Sequence, residues 1–311
     1  MEAGHLTQFC SCRSALSRPV RAHGPRQVSS QLKTTLAGRR CQAMEKQMPT
    51  GTANDVQRRY PAPKHHPVLV TEVTRMTRGF YCVAGWDVLD GRMVRPLQPS
   101  GDNWLLGADR SVFRVGALID CSPSGQRRAA YPHASEDLLL TRTPSPLEHW
   151  DESTTYAFLL PTTFRSIREL FGRPLADDKF LDDGTVCASL GGVRIRRDRT
   201  AFERDAFGKL RFRMHDSDGI HYGLPVTCDR LRHLFSPGDG DSEPFFGVAE
   251  ANEWLGVTNP ETEIVLRIGL ARGWAGPDGG WNPRRCYVQL NGVVCPEDNY
   301  HIFAGPPSAQ H

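Results

Sequence analysis

Several signatures are missing from these 311 residues, and each absence removes a class of protein. No apolar run approaches the roughly 20 residues that a membrane-spanning helix requires, so no membrane association is expected. The nine cysteines never form a C-x-x-C pair, the closest spacings being Cys10-x-Cys12 and Cys286 to Cys295. A structural zinc is therefore not expected, and an odd cysteine count suits reduced, buried thiols in a cytoplasmic protein. No G-x-S-x-G, H-E-x-x-H, P-loop or G-x-G-x-x-G fingerprint occurs, so no catalytic residue, metal or cofactor is assigned. Strong charge of one sign is lacking too. With 38 Lys and Arg against 35 Asp and Glu, the net +3 is too small to signal nucleic acid, and any basic signal must lie in its distribution.

What is present divides along the chain. Residues 1–66 are rich in Arg, Ser, Gln, Thr and Pro, with eleven Lys or Arg against Glu2, Glu45 and Asp55 through Lys64. That composition predicts a disordered basic leader, resembling an organelle transit peptide, with Met44 or Met48 as alternative starts. The adjacent His65 and His66 are expected to be exposed at its end. From Val68 onward the texture becomes β-branched and aromatic runs broken by Gly, Pro and Asp: VLVTEVTR, FYCVAGWDVL, RMVRPL and VGALIDCS. TTFRSIRELFGRP reads as a helix over 162–172, with Phe164, Ile167 and Phe171 on one face. A second β series follows in VCASLGGVRIRR, KLRFRMHD, GIHYGLPVTC, EIVLRIGLARGW and RRCYVQLNGVV, with short helices at DRLRHLF and GVAEANEWLG. The expected class is all-β with short helices: a first barrel over 67–150, a helical connector over 151–180, a second barrel over 181–304 and a tail over 305–311.

An Asp90-Gly91 turn of two residues would set Leu89 opposite Arg92, Val88 opposite Met93 and Trp86 opposite Arg95. Period-two alternation then gathers Ala84, Trp86, Val88, Met93, Arg95 and Leu97 on one face, apolar except for the arginine. A guanidinium on an indole is either a structural cation–π pair at a barrel rim or a seat for a base and its phosphate.

The order RGFYCVAGWDVLDGRMVRPL followed by RVGALIDCS resembles the bacterial dual OB-fold domain proteins, with Gly79, Cys82, Ala84, Gly85, Gly91, Arg95 and Pro96 in the places that pattern requires. IHYGLPVTCDRL, EIVLRIGLARGW and RRCYVQLNGVV carry similar markers, so the resemblance covers about 67–303. SPGDGDSEP and CPEDN depart from the pattern. The resemblance implies two tandem OB-like barrels and a nucleic-acid role, without catalytic residues.

OB folds hold single strands on a basic, aromatic face. In KLRFRMH the residues Leu210, Phe212 and Met214 point one way and Lys209, Arg211, Arg213 and His215 the other; GVRIRR presents Arg194 and Arg196 similarly. If those two strands pair across 198–207, like charges adjoin, and either an anionic ligand or the acids Asp198, Glu203 and Asp205 must offset them. The candidate nucleic-acid site is thus Trp86, Arg95, Arg194, Arg196, Lys209, Arg211 and Arg213, with single strands favoured. Two other readings remain at this point: a metal-dependent hydrolase using Asp177, Asp178, Asp182 and Asp183, and a scaffold for a protein partner. HDSDGIH reads as a turn rather than a metal site.

Overall fold

The computed structural model describes residues 50–76, 79–105, 112–126, 129–235, 247–257, 260–275 and 280–297, all within one unit spanning 43–311. The expected leader is folded over its last part. Helix α1 (Thr50–Arg59) buries Ala53 and Val56, with Tyr60 partly buried one turn on, a 53, 56, 60 spacing that a polar composition masks. Its Gln57 Nε2 donates to the Val88 carbonyl at 3.1 Å and Arg59 meets Glu148 at 2.6 Å. His65 and His66 are not solvent tails either: their ring nitrogens lie 3.0 Å from Asp120 and 2.7 Å from Asp87. The bond to Asp87 raises the His66 pKa. Residues 1–49, with both alternative starts, and the 305–311 tail lie outside the described residues.

Strands β1 (Pro67–Arg75), β2 (Phe80–Asp87) and β3 (Arg92–Leu97) form an antiparallel meander. Along the chain follow β4 (Trp104–Leu105), which pairs with β2, then β5 (Ala117–Asp120) and β6 (Pro123–Gln126), separated only by Cys121 and Ser122. β7 (Asp137–Leu140) runs parallel to β3 and antiparallel to β6, while β5 returns antiparallel to β1. Because β5 and β6 are halves of one bent segment, the circuit closes as β1, β2, β3, β7, β6·β5 and back to β1. β8 (Ser145–His149) is added outside β5.

The later strands repeat this order. After α2 (Glu152–Leu159), α3 (Ile167–Phe171) and β9 (Phe180–Asp182), strand β10 (Leu190–Arg196) passes through a single 3-10 turn into β11 (Thr200–Arg204). β11, β12 (Leu210–His215) and β13 (His221–Pro225) form a meander, and α4 (Asp229–Phe235) and α5 (Val248–Val257) lead to β14 (Glu263–Leu270) and β15 (Arg285–Val294). β14 pairs antiparallel with β10 and β15, and Val226, just beyond β13, bridges in parallel to Leu290 of β15. The two circuits thus share one strand order, and the mostly β chain with its curled sheets is consistent with an OB-like fold. Each has a core of its own, and a third cluster joins Leu69, Ala84, Trp86 and Met93 to Leu190, Val265 and Val294 along the seam between them.

Three local expectations change. The β2–β3 loop has four residues rather than two, so Trp86 pairs with Met93 instead of Arg95. The Asp87 carboxylate causes this by accepting the Leu89 and Asp90 N–H groups, a local bond that widens the turn. The connector helix begins at Ile167, because Phe164 is already paired to β10 through both its N–H and its carbonyl. Ser166 caps it, and Gly172 ends it at φ 68°. Finally, 200–204 is a strand, so β12 pairs with β11 and not with β10. Among the described residues no helix is long and apolar enough to cross a membrane.

Candidate nucleic-acid interface

The basic face is built by alternation. On β12, Leu210, Phe212 and Met214 are buried while Arg213 is exposed and Arg211 half-exposed, and Lys209 just before the strand is exposed. Register sets Glu203 of β11 opposite Arg211 and Ala201 opposite Arg213. Each acid suspected of neutralising this face does so. Arg213 meets Glu203 at 2.8 Å, Arg211 meets Asp205 at 2.9 Å, and Arg196 pairs with Asp198, whose carboxyl the guanidinium holds below the usual range. Lys209 is in no ion pair found among the described residues, and Arg194 is half-buried with its Nε unpartnered.

At the β11–β12 tip, Asp205 folds the chain back by accepting N–H groups from Phe207 and Lys209. Phe207 is left 85% exposed, flanked by the exposed Arg204 and Lys209. An aromatic ring held out between cations has the composition of a stacking contact with a nearby phosphate. The alternation in KLRFRMH identified the cations but not this ring, because the tip was read as loop.

Trp86 and Arg95 belong elsewhere. Trp86 is 5% exposed and packed in the seam cluster, and Arg95 is buried. Arg95 donates from Nη1 to Asp137 Oδ1 at 2.6 Å and from Nη2 to Ser189 Oγ at 3.2 Å. Ser189 passes the connection on, its N–H and Oγ both reaching Glu136, at 2.7 and 3.2 Å. Arg272 holds the second Asp137 oxygen at 2.5 Å. These bonds lock the strands of the first circuit to residues flanking β10 and β14 in the second. The face that carries Trp86 and Arg95 is covered by protein, so the expected stacking site is not open there, and Asp137 and Ser189 hold the guanidinium.

A second buried ion pair crosses the same seam, and sequence reasoning missed it. Arg267 on β14 has glycine as both cross-strand neighbours, Gly192 and Gly292, and its side chain lies over them. A Cβ on Gly192 would stand 2.8 Å from Arg267 Nη1. The guanidinium reaches Glu72 of β1 at 3.5 Å, with both residues 1% exposed. Burial pushes the Glu72 pKa up, against the pull of Arg267 and of the nearby Asn291 side chain. Nearby in the first circuit, burial followed by Arg95 and Arg272 drives the buried His133 down to about 3, so it is neutral. The sequence signal was a charge in the interior of each of two mostly apolar strands, Glu72 in VLVTEVT and Arg267 in EIVLRIGL.

Asp177, Asp178, Asp182 and Asp183 are all exposed, and among the described residues no three His, Cys, Asp or Glu side chains converge as metal ligands. HDSDGIH is a turn whose Asp216 carboxylate accepts N–H groups from Asp218, Ile220 and Ile167, tying the β12–β13 hairpin to α3. SPGDGDSEP lies outside the described residues.

No family model matches the sequence, and no curated protein does. Among solved structures, a murine DNA-binding protein bound to double-stranded DNA is similar over 74% of this chain and 97% of that chain, at 10% identity and a TM-score of 0.28. At that level the similarity carries no argument about fold or function.

Proposed function

We propose that the protein is a non-catalytic nucleic-acid-binding module made of two tandem OB-like barrels, as its resemblance to the bacterial dual OB-fold domain proteins implies, and that it favours single strands. Arg194, Arg196, Lys209, Arg211 and Arg213 are the phosphate contacts in this reading, with Phe207 beside them. The observation that supports it is the charge of residues 194–213. Eight Lys or Arg stand there against three acids, a surplus of five where the whole chain has a surplus of three. Exposed ion pairs are worth only about 0–1 kcal/mol, so exchanging Glu203, Asp205 or Asp198 for a phosphate costs little. The paired arginines are oriented in advance rather than consumed.

Replacing Arg194, Arg196, Arg211 and Arg213 together by alanine should weaken binding of an oligonucleotide. It should also flatten the dependence of log K on log salt, each lost contact lowering the slope by roughly 0.7 for a single strand. Fluorescence anisotropy across a salt series measures both, and a melting curve checks that the variant is folded. Unchanged affinity with an unchanged slope would remove this face from the binding surface.

A further inference from the structure

We propose that β9, β15 and the segments leading into them form a second contact surface, an aromatic platform that stacks unpaired nucleobases. It rests on the nucleic-acid reading above and adds a surface of different chemistry.

Register places Phe180 of β9 opposite Tyr287 of β15 and Asp182 opposite Arg285. The Arg285 guanidinium sits 4.1 Å over the Phe180 ring, Phe180 lies 5.5 Å from Tyr287, and Tyr287 lies 5.4 Å from Trp281 at 83°. A guanidinium and three rings thus make one row. Its inner end is the buried Phe180, and its outer end is Trp281, 52% exposed. The Trp281 N–H donates to the Ala275 carbonyl at 3.0 Å, bringing the neighbouring Trp274, 58% exposed, to the same stem. Tyr131 joins this region through backbone bonds: its carbonyl accepts from Gly184, and the adjacent Asp183 N–H donates to Arg284. Of seven exposed large hydrophobic residues among those described, Tyr131, Trp274 and Trp281 belong to these segments, and Val186 follows two residues after Gly184. Clustered exposed apolar groups mark contact surfaces more than scattered ones do.

Nucleobases fit this surface better than an aliphatic partner, since its exposed groups Tyr131, Trp274 and Trp281 are aromatic and its outer indole is braced by a fixed ring. Charge points to stacking in place of phosphate capture. Lys179, Arg284 and Arg285 are offset in the same segments by Asp177, Asp178, Asp182 and Asp183, so there is no cationic surplus as there is at 194–213. Duplex DNA hides the faces of its bases, whereas a single strand offers them.

The test is anisotropy of fluorescein-labelled oligothymidylate and of a labelled duplex, with wild-type protein, Trp281→Ala, Trp274→Ala and the conservative Trp281→Phe. Trp281→Ala should weaken single-strand binding by roughly five- to 150-fold, Trp274→Ala should weaken it too, and Trp281→Phe should retain most of it. The salt slope should match wild type, and so should the melting temperature. Wild-type binding that survives both alanine variants overturns the platform and leaves the 194–213 face standing. Failure of wild type to bind either probe overturns the nucleic-acid reading itself. Loss of a protein partner in Trp281→Ala, with oligonucleotide binding intact, assigns the surface to protein contact and overturns the proposal.

Discussion

Arg267→Met should lower the unfolding free energy by about 3–5 kcal/mol, a large share of the roughly 5–15 kcal/mol typical of a folded protein. The loss comes less from the attraction removed than from what stays behind, a Glu72 carboxylate with 1% exposure and only the neutral Asn291 side chain to ease its charge. Adding Glu72→Met should restore most of the stability, because a buried ion pair can often be exchanged for apolar groups at little net cost. The two residues face each other across the seam, so the changes will not be additive. Acidity supplies a second readout. Burial already raises the Glu72 pKa in the native state, and removing Arg267 takes away the largest opposing influence. An acid whose folded pKa is raised binds its proton more tightly when folded, so its penalty is absent below the ordinary carboxylate pKa of 4.5, grows as pH rises from there to the folded value and is constant above it. Urea unfolding of wild type, Arg267→Met and the double variant between pH 4 and 8 should therefore show a deficit that widens with pH in the single variant alone. A deficit constant with pH, or a double variant weaker than the single, would contradict this account of the pair.

Trp86→Ala should cost about 3–5 kcal/mol of stability and leave oligonucleotide affinity unchanged once the folded fraction is accounted for. The indole sits in the cluster that also holds Ala53 and Val56 of α1, Phe158 of α2, and Leu190, Val265 and Val294 of the second circuit. Removing it opens a void touched by several elements at once, and α1 in particular loses part of its anchorage. Trp281→Ala is expected to do the reverse, changing affinity with little effect on melting. Measuring both properties on both variants separates a seam residue from a surface one. A stable Trp86→Ala with weakened binding would return that tryptophan to the ligand.

Much of the strand order was determined by local pattern alone. The alternation in KLRFRMH decides which side chains of β12 face water, HDSDGIH must turn, and DRLRHLF and GVAEANEWLG are helices as their composition requires. Even the acids that pair with the basic face could be named, because they lie between two and ten residues from their partners along the chain. Short pieces escaped: β4, β7, β9 and β11 have two to five residues each, and in strands so short pairing comes from the neighbour rather than from propensity. The Asp90-Gly91 turn was visible while its length was not, since the carboxylate of Asp87 sets the register. Tertiary structure alone decided the fate of the opening hairpin. Its apolar face with one arginine has the same pattern whether it borders a ligand or another layer of protein, and what covers it arrives from α1, from α2 and from strands a hundred or more residues later. Glu72 and Arg267 carry the same lesson in charge: each is an ion in the buried interior of a mostly apolar strand, and only the meeting of β1 with β14 across the seam supplies the opposite charge that permits its burial.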